Sequence, residues 1–149
     1  MADAATISVT ATMLPDEIAK TIDGSMTVTP ADANHKWYYK LTSVSNGSAD
    51  MIGGYYSNYT AIADATAPQT VAVTDTVAFL WIQNTDASNA VYINIAAGTA
   101  AAAAGNITVG AGETWYARLG LTLAGSIHAI SSASTVTCIV CAMFDDVSV

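Results

Sequence analysis

The segment that decides the fold is Thr76–Gln83, TVAFLWIQ, which is followed by Asn84–Asn89, NTDASN, and Ala90–Ala96, AVYINIA. Two runs of β-branched and aromatic residues on either side of a polar run predict a strand, a loop and a second strand. Nearly every residue of TVAFLWIQ is apolar, whereas a strand with one face in water alternates apolar and polar residues. The predicted strand therefore has two apolar faces, and the second of them needs a cover.

Similar short segments follow one another along the chain, separated by Gly, Pro, Asn, Asp and Ser. The predicted strands cover residues 7–12, 26–29, 36–44, 70–73, 77–83, 91–96, 107–109, 114–119, 126–131 and 135–144. Their spacing of roughly ten residues, with almost no helix, predicts an all-β, antiparallel β-sandwich of the jelly-roll kind. The one short helix that we predict lies at Leu14–Lys20, LPDEIAK, where Pro15 and the two acids behind it suit a first helical turn.

The 149 residues suit a single domain that spans 1–149. We expect the N-terminal segment and a long loop ending near residue 68 to pack on the strand-rich second half, and so to cover part of the apolar surplus. A neighbouring subunit is the other candidate cover, and both can act in part.

Alternation along a strand predicts which side chains share a face. In the TVAFLWIQ strand it places Val77, Phe79 and Trp81 on one face and the alternate residues on the other. In the last predicted strand it places Ile139 and Met143 opposite the face that carries most of the apolar residues. Since a sandwich strand meets the core on one face only, we interpret Ile139 and Met143 as candidate interface residues.

The segment Gly53–Pro68, GGYYSNYTAIADATAP, is long for a hairpin loop and has no clear period. Its three tyrosines, Tyr55, Tyr56 and Tyr59, are of the residue type that is enriched at protein interfaces. They are therefore further candidate interface residues. The alternative is a loop that places these rings on its own sheet.

Charged residues make up only 11% of the chain, against about 25% in an average soluble domain, and the formal net charge is -8. So few charges predict that a partner covers part of the surface. The four cations are scattered, at Lys20, Lys36, Lys40 and Arg118. This set excludes a nucleic-acid partner, which needs several cations on one face, and it argues against binding to an acidic membrane.

Targeting signals and membrane spans are not evident in the sequence. No apolar run reaches the roughly 18 residues of a membrane helix, and the N-terminus, MADAATISVT, lacks the pattern of a secretion signal. We therefore expect synthesis and use from the cytoplasm outward. The sequons at Asn46-Gly-Ser48, Asn58-Tyr-Thr60 and Asn106-Ile-Thr108 are then interpreted as chance.

A catalytic, metal or cofactor site is not predicted. Cys138 and Cys141 are spaced as C-I-V-C, but on a strand residues three apart point to opposite faces, which prevents a shared metal. His35 and His128 have no neighbouring set of ligands. The acids lie mostly in predicted turns, as turn chemistry expects, and no nucleophile elbow or phosphate-binding glycine pattern occurs. We therefore predict a protein that is not an enzyme.

The order of segments in the second half of the chain resembles a known class of structural proteins. FLWIQNTDASNAVYINI is followed by a small-residue loop, then VGAGETWYARLG, then IHAISSASTVTCIVCAMF. This order, over Val71–Phe144, resembles small jelly-roll or β-sandwich proteins of tailed-bacteriophage virions, including capsid decoration (cement) proteins. The resemblance lies in the type and order of strands and carries no catalytic motif.

The resemblance implies a non-enzymatic protein, often a homotrimer, that sits on the capsid surface and contacts the major capsid protein after synthesis in the host cytoplasm. A tail-, neck- or fibre-associated protein of the same virion remains an alternative. A carbohydrate-binding β-sandwich, perhaps an adhesion module, is a second alternative. It is motivated by aromatic residues expected to be exposed, namely Trp37, Tyr38, Tyr39, Tyr55, Tyr56 and Tyr59.

Overall fold

The computed structural model describes residues 4–13, 20–32, 34–52, 54–55, 70–102 and 106–145, without the side chains of residues 13, 54, 55 and 70. These residues form strands and one short 3-10 turn at Ala124–Ser126. The strands are β1 (Ala5–Met13), β2 (Lys20–Val28), β3 (His35–Val44), β4 (Ala49–Asp50), β5 (Gly54–Tyr55), β6 (Thr70–Val71), β7 (Thr76–Asn84), β8 (Val91–Asn94), β9 (Ile107–Val109), β10 (Thr114–Leu123), β11 (His128–Ser131) and β12 (Val136–Asp145). The all-β prediction is confirmed. The predicted helix lies outside the described residues except for Lys20, which begins β2.

Residues Met1–Ala33 form one compact unit, and Asn34–Val149 form a second. In the first unit, β1 and β2 make an antiparallel hairpin in register from Ala5 opposite Val28 to Met13 opposite Lys20. The burial of β1 alternates regularly, since Ile7 is partly buried and its neighbours Thr6 and Ser8 are exposed, whereas the first six residues of β2 are all exposed. A single domain with the N-terminal segment packed on the second half stays a prediction.

The second unit contains two four-stranded sheets, a first sheet with the order β10-β7-β12-β3 and a second sheet with the order β4-β11-β8-β9. All of their strand pairs are antiparallel. With β5 and β6 set aside, the eight strands numbered in chain order run 6-3-8-1 in the first sheet and 2-7-4-5 in the second. That is the strand order of a double-sheet jelly roll, so the predicted fold class is confirmed.

The core lies between the two sheets and is built from the inward-facing apolar residues of both. Its fully buried members include Leu80, Ile82, Ile93, Ile127 and Phe144. Burying one such side chain stabilises the fold by about 1.5–3 kcal/mol relative to leaving it in water. Alternation places Ile93 of β8 and Phe144 of β12 inward, because each strand turns every second side chain to the same face.

A bulge in β7 corrects the predicted faces of TVAFLWIQ. Phe79 pairs with Met143 of β12, and Val77 pairs with Phe144, so Ala78 is one extra residue on β7. Because an extra residue reverses the alternation, Val77 joins the core, while Phe79 lies outside it. The prediction that Val77 shares a face with Phe79 and Trp81 is therefore wrong.

Several strand bounds differ from the prediction, and the short strands β4 and β5 were not predicted. β2 begins at Lys20 rather than at residue 26, and β10 continues to Leu123 through an irregular segment in which Leu121 has a φ of 53°. β8 ends early, at Asn94, because the Asn94 side chain accepts a hydrogen bond from the backbone N–H of Ala96 at 2.8 Å. That side-chain contact competes with continuation of the strand.

Candidate interaction surface

The outward-facing side chains of the first sheet form a surface that is mostly apolar. They are set by register, since residues that pair with one another across the sheet share a face. We call the apolar part of this surface the aromatic face, and its members are Trp37, Tyr39, Leu41, Phe79, Trp81, Tyr116, Ile139, Cys141 and Met143. Register places two charged residues on the same outer side, Arg118 opposite Phe79 and Asp145 opposite His35.

Ring contacts cross the strands of the aromatic face. Trp81 of β7 stacks on its register partner Tyr116 of β10, with ring centroids 5.2 Å apart and 16° between the planes. Trp37 of β3 meets Phe79 of β7 edge to face at 6.2 Å. Such pairs contribute about 0.5–1.5 kcal/mol beyond the area that they bury.

Exposure divides the aromatic face into a buried part and an accessible part. Phe79 and Met143 are only 2% and 6% exposed, whereas Leu41 is 47% exposed. Trp81 and Ile139 are half-buried, as are the remaining members. The structure thus places the predicted residue Ile139 at the accessible part, and places Met143 on the same face but beneath its neighbours.

The other predicted interface residues lie beyond what the structure describes. The backbone of Tyr55 belongs to β5, but its side chain is not among the described ones, and Tyr56 and Tyr59 lie outside the described residues. Their role stays a prediction. Within the run Trp37–Tyr39, the middle residue Tyr38 is 1% exposed and belongs to the core, while its neighbours face outward.

The outer face of the second sheet has a different character. Its outward-facing side chains are Asp50, Tyr92, Asn94, Thr108, His128 and Ile130. His128 Nε2 lies 3.1 Å from Asp50 Oδ1, across the pair of strands β11 and β4. One outer face of the sandwich is therefore mostly polar, as expected of a sheet in water, and the other is not.

The two cysteines lie on opposite faces of β12, as predicted. Cys138 is fully buried in the core, and Cys141 is half-buried on the aromatic face; both are free thiols. Burial raises the pKa of Cys138 to about 11, with a further contribution from the charge of Asp86, and burial also raises the pKa of Cys141. Both side chains are therefore mostly protonated at neutral pH and are poor nucleophiles.

Sequence reasoning missed a hydrogen-bond network at the end of the sandwich where β7 leaves the sheet. The buried Asn84 side chain donates through Nδ2 to the backbone oxygens of Asn89 at 2.7 Å and Gly110 at 3.0 Å. Its Oδ1 accepts from the backbone N–H of Asp86 at 3.0 Å. The signal was present in the polar run NTDASN, which follows the strand directly.

Two acidic side chains at this end of the sandwich accept hydrogen bonds from backbone N–H groups of nearby turns. Asp86 Oδ1 accepts from the backbone N–H groups of Ser88 and Asn89, and these hydrogen bonds lower the pKa of Asp86. Glu113 accepts from the backbone N–H of Gly110 at 2.8 Å across the turn between β9 and β10. Both acids therefore have a structural task, as turn-forming acids commonly do.

Comparison with known proteins adds little to this description. No family model matches the chain, and no curated protein matches it significantly. Among solved structures, the chain is similar to the coat protein of Tobacco streak virus, with a TM-score of 0.40, 8% sequence identity, and coverage of 78% of this chain and 88% of that one. A likeness at this level carries no argument, so the fold assignment depends on the strand order.

Among the described residues, none of the helical segments has the length and hydropathy that a membrane crossing requires.

Proposed function

We propose that this protein is a non-enzymatic structural protein of a virion and that it assembles through its aromatic face. The observation that carries the proposal is the contrast between the two outer faces of the sandwich. One face has a close pair between His128 and Asp50, and the other presents half-buried Trp81 and Ile139 and the exposed Leu41. An apolar outer face on one side only is typical of a surface that meets another protein.

The charge distribution supports contact between copies of the chain. With a formal net charge of -8, two copies repel one another wherever acids face acids. The members of the aromatic face carry no charge, and the two charged residues on the same outer side, Arg118 and Asp145, have opposite signs, so contact there largely avoids this repulsion. Burial of apolar surface contributes about 25 cal/mol per Å² before the costs of association are subtracted.

The finer proposal is a capsid decoration (cement) protein of a tailed bacteriophage. In this proposal a homotrimer binds the major capsid protein at the capsid surface and stabilises the shell, after synthesis in the host cytoplasm. It is supported by the resemblance of Val71–Phe144 to such proteins and by the low content of charged residues. We propose Ile139 as a direct contact, Met143 as its buried support, and Tyr55, Tyr56 and Tyr59 as further contacts.

The test combines the oligomeric mass of the purified protein with its binding to matched undecorated capsids. Ile139→Glu places a charge on the aromatic face, and Thr108→Glu places the same charge on the exposed outer face of the second sheet. We expect Ile139→Glu to weaken the oligomer or capsid binding, and Thr108→Glu to leave both unchanged. A wild-type protein that stays monomeric and fails to bind capsids would contradict the proposal.

Thiol labelling provides a second measurement on the same face. Cys141 lies on the aromatic face and Cys138 in the core. We expect shell binding to protect Cys141 from alkylation, while Cys138 stays unreactive in both states. If Cys141 reacts equally fast in free and shell-bound protein, the aromatic face is not the contact.

Two alternatives have separate tests. A tail-, neck- or fibre-associated protein would label a single vertex or the tail in images of particles, whereas a decoration protein would label the whole shell. A carbohydrate-binding module is favoured only by the half-buried rings of Tyr39, Trp81 and Tyr116. Binding on a glycan array that is lost in Trp81→Ala would support this alternative.

A further inference from the structure

The sequence contains one Asn-Gly pair, Asn46-Gly47, and it lies in the connection between β3 and β4. Ser45, Asn46 and Gly47 are all exposed to solvent. Because glycine has no Cβ, its backbone nitrogen can approach the side chain of the preceding residue with little hindrance. Neither residue of the pair belongs to the aromatic face.

We propose that Asn46 is a site of spontaneous deamidation and that the Ser45 hydroxyl slows the reaction. The backbone nitrogen of Gly47 attacks Cγ of Asn46, loses its proton, and forms a five-membered succinimide. The side-chain nitrogen of Asn46 leaves as ammonia. Water then opens the ring at either carbonyl, which gives aspartate or isoaspartate at position 46. The reaction consumes one water and needs no other reactant.

The restraint on the reaction is visible in the hydrogen bonds of the connection. The backbone N–H of Gly47 donates to Ser45 Oγ at 3.2 Å, and Ser45 Oγ donates to the backbone oxygen of Gly47, also at 3.2 Å. Ser45 is itself anchored, because its backbone oxygen accepts from the N–H of Ser131 at 2.8 Å. The attacking nitrogen must therefore leave the Ser45 hydroxyl before it can reach Asn46.

An Asp-Gly pair, which can form the same succinimide, lies in a more rigid part of the structure. Asp23-Gly24 could cyclise by the same route, but it lies within β2, where Gly24 pairs with Val9 of β1. The Asp23 carboxylate also accepts a hydrogen bond from Thr10 Oγ1 at 2.8 Å. Because the strand fixes the backbone and the carboxylate is occupied, we expect this pair to react slowly. It is an internal control in the same molecule.

Deamidation of Asn46 would change the connection between β3 and β4 in two ways. A carboxylate at position 46 adds one negative charge to a chain whose formal net charge is already -8. Isoaspartate adds one carbon to the backbone of the connection in which Ser45 is bonded to Ser131. We therefore expect the isoaspartate form to unfold more easily than the aspartate form.

The experiment is to incubate the purified full-length protein at mildly alkaline pH, digest it, and measure aspartate and isoaspartate at each position by mass spectrometry. We expect Asn46 to convert faster than every other asparagine, with both products present, and Asp23 to stay largely unchanged. Ser45→Ala should convert several times faster than wild type. Gly47→Ala should nearly stop conversion, and it should fold because a Cβ there meets only Ser45 Oγ, at 3.8 Å.

Each outcome has a defined meaning. Ser88→Ala, in another exposed loop, is the matched control for Ser45→Ala and should react at the wild-type rate. If Asn46 converts no faster than the other asparagines, the proposal that Asn46 is a deamidation site is wrong. If Ser45→Ala reacts no faster than wild type, the proposal that the Ser45 hydroxyl slows the reaction is wrong. Thermal melting verifies that each variant is folded, and Asn46→Gln replaces Gly47→Ala if the latter is not.

Discussion

At the residue scale, Asn84 joins two connections of the jelly roll through one buried side chain. Its amide contacts the backbone oxygens of Asn89, Val109 and Gly110, and its oxygen accepts from Asp86. A leucine has the same branching but is larger and forms no hydrogen bonds, so it would leave these backbone groups without their partner. Each unsatisfied group costs about 1–3 kcal/mol.

We therefore predict that Asn84→Leu lowers the free energy of unfolding by about 2–4 kcal/mol. Urea unfolding followed by fluorescence measures the change. Ser88→Ala, in the same loop but exposed, is the control and should differ from wild type by less than about 0.5 kcal/mol. A loss for Asn84→Leu no larger than that of the control would contradict the role assigned to Asn84.

Asp86 makes the free energy of unfolding depend on pH, with greater stability at neutral than at acidic pH. Backbone hydrogen bonds from Asn89 and Ser88 lower its pKa below the ordinary 3.8. A carboxyl whose pKa is lower in the folded state adds stability above its unfolded pKa, and this stability is lost as the pH falls through the folded pKa. We predict that Asp86→Asn is less stable than wild type at neutral pH and that the difference shrinks below about pH 3.8. Urea unfolding across this range checks it, and a difference independent of pH would count against it.

At the element scale, β7 depends on the one-residue bulge at Ala78. The bulge allows Val77 to enter the core with Leu80 and Ile82 while Phe79 faces outward. Without the bulge, strict alternation from Phe79 would turn Val77 outward, where a hydroxyl group would be tolerated. We predict that Val77→Thr lowers the free energy of unfolding by about 1–3 kcal/mol, because it places a hydroxyl group in the core.

Thermal or urea unfolding of Val77→Thr, compared with Ala78→Ser, tests this role. Ala78 is only partly buried, so the serine variant should stay close to wild type. Equal stability of the two variants would show that Val77 does not face the core.

Strands were predictable from the sequence because their signals are local. The residues of β9 were predicted without error, and the core face of β12 followed from alternation. The bulge was not predictable, since nothing in TVAFLWIQ indicates that Ala78 has no partner on β12. Its position is decided by pairing with strands far along the chain, and periodicity within one strand carries no information about such pairing.

The aromatic face was predictable only in part, because alternation is a local signal within one strand. The face of Ile139 follows from alternation within β12 alone, but the burial of Met143 depends on side chains from other strands. The buried role of Asn84 depends on carbonyl groups of two different loops. Residues of one strand can be assigned to a face from sequence, whereas contacts between distant segments need the structure.

At the scale of the whole molecule, the excess of acidic over basic residues determines how copies approach one another. With 12 acidic and 4 basic residues, the repulsion between copies extends over roughly the Debye length, about 8 Å at physiological ionic strength. Added salt screens this repulsion, while apolar contact through the aromatic face is little affected. We predict that self-association strengthens as sodium chloride is raised from low to physiological concentration. Sedimentation velocity measures it, and dissociation on adding salt would indicate an interface of opposite charges.

The pairing of β3 with β12 places His35 opposite Asp145, positions that are 110 residues apart (145 − 35). During synthesis on the ribosome, the earliest strand of the jelly roll must wait for the last one before its sheet can close. Contacts so distant along the chain make folding slow, and the waiting strand exposes its apolar side chains to other nascent chains. Growth temperature and the supply of chaperones should therefore determine how much usable protein a cell makes.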